Sequence, residues 1–156
     1  MNTLAIFGLQ LTLSLVVWSL LAKWLLTPWL ENKSPQEALF WLTLPHAFRF
    51  MGMVFLVPGV VSQGLPSSFA IPAAYGDLVT GILALLVLIA IRTSWAGALA
   101  LVWLFNIVGT ADLLSALSRA DAVPYLGAAW YIPTLFVPLL LVTHFMIFAR
   151  LLRRTR

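Results

Sequence analysis

The chain is expected to fold as an all-α integral membrane bundle of five transmembrane helices, with the N-terminus outside and the C-terminus inside. Three observations lead there. Of 156 residues, 62% are hydrophobic and only 9% are charged, whereas a soluble domain carries about 25% charged residues. The mean hydropathy is +1.02. Five apolar runs each reach the ~20 residues that a helix needs to cross a bilayer. A soluble fold of this length has too little interior to hide that much apolar surface, so the bilayer is the solvent. Unpaired backbone cannot face lipid, which leaves helices as the spanning form for runs this long.

The runs are about 3–27, 37–61, 72–91, 95–118 and 130–151, within a single transmembrane domain covering 1–156. The first follows Met1-Asn2-Thr3 with no basic stretch before it and no small-residue cleavage motif after it. It therefore reads as a helix and not as a signal peptide. The second follows the polar loop Glu31-Asn32-Lys33-Ser34-Pro35-Gln36. The third begins at Pro72, a residue suited to a first helical turn. The uncharged stretch 62–71 before it is expected to lie in the outer interface or to fold back over the bundle. The fourth follows Arg92-Thr93-Ser94, and the fifth contains Pro133 and Pro138, which are expected to bend it.

Charge fixes the expected orientation. Lys23, Lys33, Arg92, Arg150, Arg153, Arg154 and Arg156 fall on one side of such a bundle, and Arg119 alone falls on the other. The positive-inside rule places the first set in the cytoplasm. Trp24, Trp29, Trp41 and Trp95 then sit at the inner interface, with Tyr75, Tyr125, Trp130 and Tyr131 at the outer one. The formal charge of +4 comes mainly from the C-terminal arginines. They read as flanking charges of a membrane helix, with no nucleic-acid partner. Cysteine is absent from the sequence, which excludes thiolate metal sites and cysteine nucleophiles.

Arg49, Asp77 and Asp112 each lie inside an apolar run, where a charge costs about 2.5–3.5 kcal/mol by insertion scales. Such groups are tolerated when they pair or line a polar cavity. His46 and Arg49 are three residues apart and share a helix face, with Leu42 and Met53 extending the stripe. Asp77, Thr80, Gly81 and Ala84 share a face of the third helix. Asn106, Gly109, Thr110 and Asp112 fall within one arc of the fourth, and Pro133, Val137, Leu140 and His144 line the fifth. Helices two to five therefore supply the site, and helix one packs on the outside or on a partner. By depth, the two aspartates lie above, Arg49 and Asn106 midway, and His46 and His144 below. One arginine neutralises one aspartate. The second is left over, free to take a proton, a cation or a protonated histidine. Some of these residues also have plainer readings. Asp77 fits a cap in the first turn of its helix, His46 fits a kink after Pro45, and Asn106 fits an interhelical strut.

The runs Pro45-His46-Ala47-Phe48-Arg49, Gly64-Leu65-Pro66, Phe69-Ala70-Ile71-Pro72-Ala73, Gly76-Asp77, Phe105 to Leu113, and Ile132 to Pro138 with His144 resemble a group of small bacterial integral membrane proteins, mostly labelled hypothetical. The likeness covers most of the chain from the second helix onward. It implies a bacterial origin and one shared domain, and no activity.

The expected function is a polytopic protein of the bacterial inner membrane that is not an enzyme. Its intramembrane site would bind a small ligand, ion or proton through Arg49, Asp77, Asn106, Asp112, His46 and His144, as a small transporter or an accessory subunit. No metal and no cofactor is called for. One alternative is a redox protein holding haem b between His46 and His144. Another is a structural or assembly subunit whose polar network serves the fold alone. Besides the lipid bilayer, the expected partners are further copies of the chain or a larger membrane complex, because so small a bundle has little room for alternating access.

Overall fold

The computed structural model describes residues 2–154. Five helical spans, each long and apolar enough to cross a membrane, make up the bundle: α1 (Thr3–Glu31), α2 (Pro35–Leu56), α3 (Ser67–Arg92), α4 (Ala98–Leu117) and α5 (Gly127–Arg153). Among the described residues the only β-type pairing is the isolated bridge between Pro58 and Val61.

The helix ends follow local chemistry, and several differ from the expected boundaries. Asn2 caps α1 by accepting from the Ala5 amide at 2.8 Å. α1 then runs past Pro28 to Glu31, because a π turn at Ala22–Leu26 absorbs the break before the proline. Ser34 caps α2 by accepting from the Glu37 amide, and Pro35 follows at the first helical position, where its missing N–H costs nothing. α2 stops at Leu56 and not near 61, since Val57 is extended and Gly59 takes φ 85°. α3 starts at Ser67, so Pro72 lies inside it and the expectation of a first-turn proline is corrected. Asp77 accordingly sits about three turns into α3, which removes its reading as an N-terminal cap. The uncharged stretch is divided: Ser67 to Ile71 belong to α3, while the preceding loop folds against the α4–α5 connection. The Ser62 amide donates to the Tyr125 carbonyl at 3.0 Å, and the Ala128 amide to that of Val60 at 2.8 Å.

The main departure from regular geometry is in α2. From Leu44 to Leu56, 13 residues form a 3₁₀ helix, whereas runs beyond three or four residues are uncommon. Pro45 starts it, because its nitrogen cannot donate to the carbonyl four residues back. The segment rises about 2.0 Å per residue instead of 1.5 Å, and side chains three apart eclipse one another. Thr43, His46, Arg49, Gly52 and Phe55 therefore form one straight inward line, and all are buried. Met53, expected on this stripe, lies off it and is only partly buried.

α2 packs along α3, α3 along α4, and α5 closes the bundle against α2 and α4. α1 lies on the outside against α5. Its buried residues are Phe7, Ala22 and Leu30. The Trp18 indole donates to the Leu135 carbonyl at 3.0 Å, inside the π turn that accompanies Pro133. Trp130 donates to Gln10 at 2.6 Å. Two apolar clusters fill the ends of the bundle. One, with Phe55, Phe69 and Leu126, lies toward the N-terminus. The other, with Leu42, Val87, Phe105 and Ile147, lies toward Lys33 and the C-terminal arginines.

Close approach between helices depends on three glycines. A Cβ at Gly52 would collide with the Asp77 carboxylate, one at Gly76 with that of Asp112, and one at Gly109 with His144 and Thr80. Each alanine substitution is expected to destabilise the bundle by about 1–3 kcal/mol, the usual cost of overpacking. Gly8→Ala, where nothing lies within 4 Å, should be near neutral. Thermal unfolding of the four variants in one detergent checks this, and equal midpoints for all four would contradict the packing described.

Candidate functional site

The polar side chains of α2 to α5 gather in the core as three hydrogen-bonded sets: Arg49 with Asp77, Asp112 and the Gly109 carbonyl; His46 with Thr143; and Asn106 with His144. In the first of these, Arg49 has no exposed side-chain surface. Its Nε donates to Asp77 Oδ1 at 2.7 Å, one Nη donates to Asp112 Oδ2 at 2.5 Å, and the other donates to the Gly109 carbonyl at 3.1 Å. One guanidinium thus ties α2 to α3 and to α4. Both carboxylates share the same arginine, each through one oxygen, so neither lacks a hydrogen-bond partner, while the charge count of two aspartates to one arginine is unchanged. The formal charge of the trio is still −1 with both aspartates ionised.

One turn along the 3₁₀ line lies His46, whose Nε2 is 2.9 Å from Thr143 Oγ1. Thr143 directs its own hydrogen to the Leu139 or Leu140 carbonyl, each 3.0 Å away. The threonine oxygen therefore accepts from His46, which places the proton of a neutral His46 on Nε2. Asn106 donates to the His144 carbonyl at 3.2 Å, and its Oδ1 faces His144 Nδ1 at 2.7 Å. That carbonyl oxygen can only accept, so the proton of a neutral His144 is on Nδ1. The two rings touch, with centroids 4.1 Å apart, and Phe105 packs against both. His46 Nδ1 and His144 Nε2 are buried without a hydrogen-bond partner, as are the hydroxyls of Thr43 and Thr80.

All six residues singled out from the sequence fall in these sets. Thr110 does not, because its hydroxyl turns back to the Asn106 carbonyl of its own helix. Thr143 and the glycines Gly52 and Gly76 are parts that sequence reasoning passed over. The spacing Thr43-His46-Arg49-Gly52, three residues at each step around Pro45, was the available signal for the glycine at 52. Thr143 had none beyond its place next to His144.

The imidazole pair does not fit a haem. A bis-histidine haem has its macrocycle between the two rings, and these rings are in direct contact. Nor does any group of three or more His, Asp or Glu among the described residues come together as a metal site.

On the N-terminal side of the network lies a cavity of about 130 Å³. Phe7, Phe55, Phe69, Leu113 and Val123 are among its apolar walls, and Asp77 and Asp112 reach it at one end. A smaller cavity of about 20 Å³ touches Asp112 from between α3 and α4, beside Ser115 and Arg119. It is large enough for one water. Toward the other end, Leu42, Val87, Phe105 and Ile147 are all fully buried and close the interior. The polar network is therefore bordered by a cavity on one side and by packed hydrocarbon on the other.

The fold and this network define a class: a small helical bundle of membrane-spanning composition, organised around a buried ion cluster under an apolar cavity. The chain belongs to the family described as a domain of unknown function (DUF8737), whose model matches residues 6–152. Comparison with the curated proteins and with the solved structures gives no match.

Removing Arg49 alone strands two buried carboxylates, and breaking a buried pair in this way costs about 3–5 kcal/mol. Arg49→Leu is therefore expected to unfold the bundle or lower its melting temperature sharply. The triple variant Arg49→Leu, Asp77→Leu, Asp112→Leu should recover most of that loss. If the triple variant is less stable than the single one, the cluster is not the electrostatic unit described. Asn106→Leu, which leaves His144 without its partner, is expected to cost about 1–3 kcal/mol.

Proposed function

We propose that this is a multi-pass protein of the bacterial inner membrane that binds a small ligand inside the bilayer. The ligand would enter from the end of the bundle that carries the N-terminus. The observation that carries this reading is the pairing of the cavity with the carboxylates. Apolar walls end on Asp77 and Asp112, and Arg49 behind them has no exposed surface. Ionisable groups within membrane helices are costly and mark ligand, ion or proton sites, and a concave apolar pocket with a few convergent polar groups is the usual form of a small-molecule site. Asn106, His46 and His144 form the polar layer below, with each imidazole held in one tautomer by its partner. The packed layer around Leu42, Val87 and Phe105 favours binding with access from one side over a continuous pore.

The orientation follows from the basic residues. Lys33, Arg92 and the C-terminal arginines favour the cytoplasm for the closed end, so the cavity would face the outside.

The native chain has no cysteine, so single-cysteine variants test both points directly. Ala73→Cys on the cavity wall is expected to react with a small charged methanethiosulfonate added to intact cells, and Val87→Cys in the packed layer is expected to stay unreactive. Ser34→Cys at the basic end should react only after the membrane is opened. An unreactive Ala73→Cys would remove the accessible cavity, a reactive Val87→Cys would favour a through-path, and labelling of Ser34→Cys in intact cells would reverse the orientation.

A further inference from the structure

We infer that the cavity above Asp77 and Asp112 takes a small organic ammonium ion: a compact apolar body with one cationic nitrogen. This rests on the reading of the cavity as a ligand site and names the class of its ligand. Size comes first. At about 130 Å³ the cavity is close to the ~150 Å³ of an engineered cavity that holds benzene, so the body of the ligand is about the size of one phenyl ring. Its walls, with Phe7, Phe55, Phe69 and Leu113 among them, offer that body hydrocarbon contacts.

Charge decides the rest. Asp77 and Asp112 both border the cavity, whereas Arg49 does not. Its guanidinium is fully enclosed, and its three hydrogen bonds point at the two aspartates and the Gly109 carbonyl. A ligand in the cavity therefore borders the two aspartates and not the cation behind them. Only one oxygen of each carboxylate is bonded to Arg49, and with both aspartates ionised the trio is formally one negative charge in excess. An ammonium placed at that end supplies the missing positive charge and N–H donors to acceptor-only oxygens, in surroundings where a charge needs a partner. The remaining charged residue on the cavity is Arg119. It is exposed and also lines the smaller cavity together with Asp112. Asp77, by contrast, borders only the larger of these two cavities.

The test uses three probes with one body: benzylammonium, benzyl alcohol and benzoate, titrated calorimetrically into the purified chain in lipid nanodiscs. Benzylammonium is expected to bind roughly 10- to 100-fold more tightly than either control, the range that a charge-assisted hydrogen bond supports. Asp112→Asn should remove that preference, and Arg119→Ala should leave benzylammonium binding equal or tighter. If Asp112→Asn does not fold, Ala116→Leu, which fills the cavity from its apolar wall without changing a charge, should abolish binding of benzylammonium. Benzyl alcohol binding as tightly as benzylammonium would overturn the cationic class and leave the ligand cavity standing. Tightest binding of benzoate, lost in Arg119→Ala, would do the same in favour of an anion. Binding of none of the three while Ala73→Cys is freely labelled overturns this inference and leaves the accessible cavity intact. Binding of none with Ala73→Cys unreactive overturns both.

Discussion

A guanidinium buried in the middle of an apolar bundle must be paired or the bundle does not form. Arg49 meets that constraint with two aspartates from two neighbouring helices and a backbone carbonyl from one of them. The rest of the structure is arranged around it. α3 must lie close enough for Asp77 to reach, so Gly52 stands opposite. α4 must lie close enough for Asp112, so Gly76 stands opposite that carboxylate. Gly109 gives its carbonyl to Arg49 and, lacking a side chain, lets His144 and Thr80 in. The register of three helices is thus set by one cation, and small residues at each crossing let the helices come close enough.

The 3₁₀ segment gives this cation its neighbours. In an α-helix, residues 43, 46, 49, 52 and 55 would drift around the axis. With three residues per turn they stack in one line, from the threonine and histidine below to the glycine and phenylalanine above. Polar groups then meet the other helices at successive levels: the imidazoles against Asn106 and Thr143, the guanidinium against Asp77 and Asp112. Pro45 is where the departure from α geometry begins. The long 3₁₀ run and the buried charges occur at the same place in the chain, and irregular helix in a membrane-type bundle is tolerated where it lines a protein interior or a cavity.

Much of this was legible in the residues. The five spans follow from hydropathy, and all six candidate residues were placed on inward faces by helical periodicity. Asn106, expected at the level of Arg49, bonds instead with His144. What was not legible has physical causes. A spacing of three fits both α and 3₁₀ geometry, so His46 and Arg49 gave no sign of the difference. It shows only at Gly52 and Phe55, which replace Met53 on the stripe. Pro72 looked like a helix start because proline is favoured there, yet Ser67 and Ser68 after Pro66 begin the helix earlier. Charge counting gave the surplus of one carboxylate but not the sharing of one guanidinium by both aspartates, which depends on how three helices cross. The cavity had no linear signature, since its walls come from α1, α2, α3, α4, α5 and the loop between the last two.

The central claim is that Arg49 is held by Asp77 and Asp112 at the same time. Solid-state NMR of the protein in lipid, with arginine labelled in nitrogen-15 and aspartate in carbon-13, measures this through nitrogen–carbon dipolar dephasing. The account requires the buried Arg49 side-chain nitrogens to dephase both the Asp77 and the Asp112 carboxyl carbons, with one signal lost in Asp77→Asn and the other in Asp112→Asn. Dephasing of a single aspartate, or of none, would contradict it.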